Sequence, residues 1–128
     1  MIEGITPILR ADDLAATKLY YLDVLGFTLD WEAPYMIQVS RDRHPIMICD
    51  GAQGQSGTWV WIGVEDADAL YAELVANGAV IRDAPQNFQW SYEFQVEDPN
   101  GHVLRFGSDD EAGCGHSGRS RSELTHAV

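Results

Sequence analysis

The chain has 128 residues and a formal charge of −12, from 20 acidic against 8 basic side chains. With 45% hydrophobic and 22% charged residues it can bury a core, which excludes an intrinsically disordered chain. So acidic a surface repels phosphate backbones and attracts cationic small molecules, which argues against a nucleic-acid binder.

The start, MIEGITPILR, lacks the basic and long apolar stretches of a signal peptide, and no run reaches transmembrane length, so a cytoplasmic protein is expected. A short strand is expected over Ile5–Leu9. A helix opens at Asp12-Asp13, carries Leu14, Tyr21, Leu22 and Leu25 at helical spacing, and stops at Gly26. Three strands follow, FTLDWE, YMIQVS and PIMICD, separated by Ala33-Pro34 and Arg41-Asp42-Arg43. After GAQGQSG the same order returns. A strand over Thr58–Val64 precedes a helix capped by Asp66, using Ala67, Leu70, Tyr71 and Leu74 and ending at Asn77-Gly78. AVIRD, WSYEFQVE and HVLRFG complete the second pass, with Asp98-Pro99-Asn100-Gly101 as its last turn. The two helix-stop glycines lie 52 residues apart and the helix-start aspartates Asp13 and Asp66 lie 53 apart, so the chain repeats a βαβββ module.

The expected fold class is therefore α+β, with two βαβββ modules in a domain over residues 1–107. Module one covers about 4–50, a linker 51–57, and module two about 58–107. Residues 108–128 read as a polar, flexible tail. Four acidic and two basic residues fall in that tail, so the folded part keeps a charge of about −10. Gly113, Gly115 and Gly118 match G-x-G-x-x-G by chance, with no strand before them and no apolar helix after. Cys114 and His116 are too few to make a metal site, and Cys49 with Cys114 do not make a disulfide framework.

The segments Pro7–Leu14, Tyr20–Phe27, Val64–Asp66 and Glu97–His102 resemble the vicinal oxygen chelate superfamily, the glyoxalase/bleomycin-resistance/extradiol dioxygenase group. The resemblance covers about residues 4–107 and rests on the Y-x-x-x-L-G-F and D-P-x-G pieces taken together. It implies that each module curls into half of a cupped mixed sheet and that paired modules enclose a cavity, often across a homodimer. Enzymes of the superfamily hold one divalent metal through His or Glu side chains on first and last strands, as a Lewis acid for two substrate oxygens. Counting from the helix-opening aspartates and from Asp98 puts Thr6, Trp59 and Arg105 at those positions, and none of them suits a divalent cation. His44, His102, His116 and His126 match none of the expected ligand positions, and His102 reads as a satisfied turn histidine. No metal and no cofactor are expected.

Strand alternation separates Trp59, Trp61 and Gly63 from Val60, Ile62 and Val64, and the aliphatic set suits the helices. The same rule puts Val103 and Arg105 on the cavity side with Leu104 and Phe106 beneath the helix. It also places Met47 and Cys49 opposite Ile46 and Ile48. Trp31, Tyr35, Met36, Phe88, Trp90 and Tyr92 are expected to border the same cavity. These aromatics also admit a reading as core or dimer seam. Indole walls add about 0.5–1.5 kcal/mol per stacked ring beyond burial, and methionines adapt to irregular shapes.

The expected function follows the superfamily's metal-free drug-binding branch, which the chain is similar to in its acidity, its aromatic strands and its missing ligands. It is a non-enzymatic, homodimeric protein that sequesters a planar aromatic, cationic drug or peptide antibiotic, in self-resistance or as an accessory to antibiotic biosynthesis. The ligand set is Trp59, Trp61, Trp31, Tyr35, Met36, Met47, Phe88, Trp90, Tyr92 and Arg105. The alternative is a small lyase, isomerase or dioxygenase-type enzyme with an atypical metal site or with ligands at positions other than those counted above, in which Arg105 orients a carboxylate and Glu93 acts as base. A third option is an accessory protein whose aromatics bind a protein partner.

Overall fold

The computed structural model describes residues 1–109; most of the expected tail, with Cys114, His116 and His126, lies outside the described residues. The described chain divides into two compact units, and each carries one four-stranded mixed sheet. The elements run β1 (Ile8–Arg10), α1 (Leu14–Leu19), β2 (Thr28–Ala33), β3 (Met36–Arg41) and β4 (His44–Cys49). Then come β5 (Trp59–Gly63), α2 (Ala67–Ala76), β6 (Val80–Asn87), β7 (Tyr92–Glu97) and β8 (Val103–Ser108). The fold is α+β and repeats the βαβββ order twice. Among the described residues no helix is long and apolar enough to cross a membrane.

Both sheets solve the same topological problem. In the first, the order is β1-β4-β3-β2, with β1 parallel to β4 and the other pairs antiparallel. The second is ordered β5-β8-β7-β6, again with one parallel pair, β5 and β8. A parallel partner cannot be reached by a hairpin, so each module sends its chain through a helix and a meander first. The expected caps form: Asp13 accepts the Ala16 N–H and Asp66 accepts the Ala69 N–H.

Three elements differ most from the sequence expectation. β1 begins three residues later than Ile5, in a segment where only Ile8–Arg10 pair with β4. The first helix is α-helical only to Leu19 and continues as a π-helical turn over Tyr20–Val24, closed by the Leu25 N–H on the Tyr20 carbonyl. Apolar spacing over so short a stretch does not separate the two windings. β6 extends beyond AVIRD to Asn87 and carries two register irregularities, one at Arg82 and one across Ala84-Pro85. On this edge strand Pro85 has no partner to donate to, so its missing N–H costs no ladder bond.

The last hairpin turn, expected within module two, belongs by its contacts to the first unit, which comprises Met1–Thr58 and Asp98–His102. Asp98 explains why. Its Oδ1 accepts the backbone N–H groups of Asn100 and His102, and its Oδ2 accepts the Tyr21 hydroxyl at 2.8 Å. Burial and the neighbouring Asp98 charge push the Tyr21 phenol well above its usual value, so it stays a donor. The Asn100 side chain accepts the Asp12 N–H and donates to the Thr17 hydroxyl. His102, fully buried, accepts the Thr58 N–H at Nδ1 and donates from Nε2 to the Arg10 carbonyl, which selects the neutral Nε2–H tautomer. Gly101 turns the chain with φ +76°, where a side chain would be strained.

Tyr21→Phe leaves one buried carboxylate oxygen without its donor, so urea unfolding should register a loss of about 1–3 kcal/mol. Asp98→Ala orphans three donors and should cost more than Tyr21→Phe in the same assay. Equal losses would mean that the turn amides find other partners.

Candidate functional site

The second unit builds one sheet face from three rows of side chains. Strand register pairs Trp59 with Val103 and Trp61 with Arg105 on β5 and β8. Across β8 and β7 it pairs Val103 with Glu97, Arg105 with Gln95, and Gly107 with Glu93. Partners in register stand on the same face, so Trp59, Trp61, Arg105 and Glu93 share one side of the sheet. The opposite side holds Leu104, Phe106, Phe94 and Val96, all buried, with Tyr71 of α2 edge-on to Phe94 at 5.3 Å. The expected separation of Trp59 and Trp61 from the residues beneath the helix is thus present in the register.

Glu93 organises this face. Its side chain is 0% exposed, and both oxygens are filled. Arg105 donates to Oε1 from Nε at 3.0 Å and from Nη2 at 2.7 Å. At Oε2 the carboxylate accepts the Trp61 indole N–H at 2.8 Å, the Trp90 indole N–H at 2.7 Å and the Ser91 hydroxyl. Burial pushes the Glu93 carboxyl up. The Ser91, Trp61, Arg105 and Trp90 donors outweigh it and hold the group below its ordinary 4.5, so it is ionised at neutral pH. Gly107 makes room for the bond to Trp61. A Cβ there would lie 3.0 Å from the indole and 3.1 Å from the Glu93 side chain.

The remaining aromatics on this face occupy defined places. Trp90 stacks on Phe88, with ring centres 5.1 Å apart and planes 16° from parallel, and the Arg105 guanidinium lies 5.8 Å from the Trp90 centre. Trp59 and Trp61 stay 50% and 45% exposed. Arg82 lies over Trp59, its guanidinium carbon 5.1 Å from the ring centre, and pairs with Glu97 at 3.3 Å. Tyr92, expected with this group, belongs to the other face. It pairs in register with Ser108 and gives its hydroxyl to Asp68 of α2 at 2.5 Å. The correction follows from parity, because Tyr92 alternates with Glu93 and keeps step with Phe94.

In the first unit, register places Met36 beside Cys49, Gln38 beside Met47, Ile8 beside Met47 and Trp31 beside Gln38, all on one face. Ile37, Val39, Ile46 and Ile48 form the buried opposite side. Cys49, expected to line a cavity, is itself buried, whereas Met36 and Met47 are partly exposed. Tyr35 sits in the tight turn between β2 and β3, 71% exposed.

The metal that the superfamily resemblance implies does not fit these residues. A threonine hydroxyl, an indole and a guanidinium already paired with Glu93 offer no donor set for a divalent cation, and Arg105 adds a repelling charge. Among the described residues no three His, Cys, Asp or Glu side chains come together in a group that could hold a metal ion. Glu93 itself carries lone pairs already occupied by four side chains, which leaves it poorly placed to take a proton from a substrate.

Glu93→Gln should lower stability by about 2–3 kcal/mol at pH 7, because Arg105 loses its counter-charge and the amide brings a donor against donors. A carboxyl whose folded value is depressed contributes fully above its unfolded value, near 4.5, and loses that contribution as pH falls through the folded value. The gap between native and Glu93→Gln proteins, measured by urea unfolding across pH 7 to 3, should therefore close as the solution is acidified below about 4.5. A gap constant across that range would refute the ionised assignment.

Residues 4–106 match the model of the Glyoxalase/Bleomycin resistance protein/Dioxygenase superfamily. No curated protein sequence matches the chain significantly. Among solved structures, the bleomycin-binding protein of bleomycin-producing Streptomyces verticillus, complexed with copper(II)-bleomycin, is 26% identical with a TM-score of 0.68, covering 87% of this chain and 98% of that one. The bleomycin resistance determinant encoded on transposon Tn5 is 19% identical with a TM-score of 0.74, over 84% and 98%. A lactoylglutathione lyase from Agrobacterium tumefaciens is also 19% identical, with a TM-score of 0.70 over 84% and 94%. The likeness thus extends to binding proteins and to an enzyme on one architecture. On the extent of the family match, the chain belongs to the glyoxalase/bleomycin resistance protein/dioxygenase superfamily.

Proposed function

We propose that the protein binds a planar aromatic, cationic antibiotic in stoichiometric amount and leaves it chemically unchanged, acting as a homodimer. The observation that carries this reading is the Glu93 cluster. One buried carboxylate fixes the indoles of Trp61 and Trp90, with the exposed ring of Trp59 on the same sheet face. Fixed flat rings lose little entropy when a flat ligand stacks on them. Similarity to bleomycin-binding proteins supports the class of ligand, and the charge of −12 favours capture of cations. Trp31, Met36 and Met47, on one face of the first sheet, and Tyr35 in its β2–β3 turn are proposed to contact ligand as well.

The similarity to a lactoylglutathione lyase keeps one second reading in view, an enzyme of the same superfamily. The two part on a single measurement. Ligand recovered from the protein and weighed by mass spectrometry returns unaltered in the binding case and converted in the enzymatic one.

In fluorescence titrations against aromatic antibiotics, Trp59→Ala and Trp61→Ala should each weaken binding by about 1–3 kcal/mol, from lost stacking and apolar burial. Association of a cationic drug should slow as salt rises, since screening cuts the reach of the acidic surface to about 10 Å at 0.1 M. Unchanged affinity in both variants would defeat the reading.

A further inference from the structure

We infer that the face of Trp59, together with the Glu97 carboxylate, is a subsite for a flat, delocalised cation, and that the protein fills it in the free state with its own Arg82. The inference rests on the binding reading above and narrows it to the charge and shape of one part of the ligand. Arg82 is the extra residue of a β-bulge. Ile81 pairs with Val96 and Asp83 with the next residue back, Gln95, so Arg82 has no partner of its own in the ladder. Bulges re-aim side chains and gather beside functional sites. Here the bulge sends Arg82 from edge strand β6 over the sheet to β5, at the far edge, where its guanidinium lies over the Trp59 ring. Glu97 on β7 stands beneath that path and holds Nη1 at 3.3 Å.

A guanidinium is a planar cation with its charge spread over the plane. An amidinium or an aminated heteroaromatic ring shares that chemistry, and such a group gains the same two contacts, an indole face and a carboxylate. Both Arg82 and Trp59 are exposed, so exchange needs only rotation of one long side chain on the surface. When Arg82 swings away, the Glu97 carboxylate takes up the incoming cation in its place. An uncharged ring of equal size recovers the stacking but not the ion pair. A planar cation therefore recovers both contacts that Arg82 gives up, and an uncharged ring only one.

The test uses the full chain and two tricyclic dyes, 9-aminoacridine as the planar cation and acridone as its uncharged counterpart, with fluorescence titration as readout. Arg82→Ala should tighten 9-aminoacridine by about two- to fivefold, the range expected from losing an exposed cation–π competitor. Arg82→Lys, which restores a charge without the plane, should fall between the native chain and Arg82→Ala. Adding Glu97→Gln to Arg82→Ala should then weaken 9-aminoacridine more than acridone. Arg82→Ala that leaves the cation unchanged or binds it more weakly overturns the subsite. So does a Glu97→Gln effect of equal size on both dyes. If the native chain and every variant bind neither dye nor any aromatic antibiotic, the binding reading falls together with the subsite. Native binding that Arg82→Ala does not strengthen removes the subsite alone.

Discussion

Burying a carboxylate costs several kcal/mol unless its oxygens are filled, and every donor that fills Glu93 is a side chain the open face of the second sheet is made from. Arg105 neutralises the charge, Ser91 and two indoles complete the shell, and the whole arrangement is held by the register of β5, β8 and β7. The constraint runs both ways. Remove the charge and the rings lose the group that orients them; remove a ring and a buried anion loses a donor. Gly107 belongs to the same constraint, because only a residue without a side chain lets the Trp61 indole lie close enough to reach across β8 to β7.

The first unit uses a comparable device for a different purpose. Asp98 is also a buried acid with both oxygens occupied, but its donors are two backbone amides and the Tyr21 phenol. A carboxylate bonded mainly to backbone fixes a chain path, whereas one bonded to long side chains fixes the poses of those side chains. Asp98 therefore shapes a turn and Glu93 shapes a surface. Both are taken from a chain with 20 acidic residues, so a strongly acidic composition does not mean that every acid serves the solvent.

The repeat, the caps at Asp13 and Asp66 and the parity of β5 and β8 were all legible in the sequence, because each depends on neighbours within one element. The Glu93 cluster was not. Alternation does put Glu93, Gln95 and Glu97 on the face opposite Phe94, but that pattern describes a solvated strand as well as a buried charge. What separates them is which residue of β8 lies beside Glu93, and that register comes from pairing across the sheet. Tyr92 could have been placed by the same alternation, which groups it with Phe94 and Val96; its aromatic character suggested the other side. The bulge at Arg82 and the π-helical turn at Tyr20–Val24 each add a residue without changing the composition of their segments, so neither leaves a mark in a periodic pattern.

The inward turn of the indole N–H groups has a consequence for discrimination. Trp61 and Trp90 both spend their only polar hydrogen on Glu93, so what these two rings present outward is π surface without a donor. Strong rejection of near-isosteres comes from buried polar groups that a wrong ligand leaves unpaired. A wall whose donors are already satisfied imposes no such penalty. Toward a ligand stacked as proposed, it would read area, flatness and polarisability, and would tolerate exchanging ring carbon for ring nitrogen, one fused heterocycle for another. On the binding reading proposed above, selectivity on this face therefore has to come from charged groups at its margin, while these two rings supply a general affinity for flat molecules.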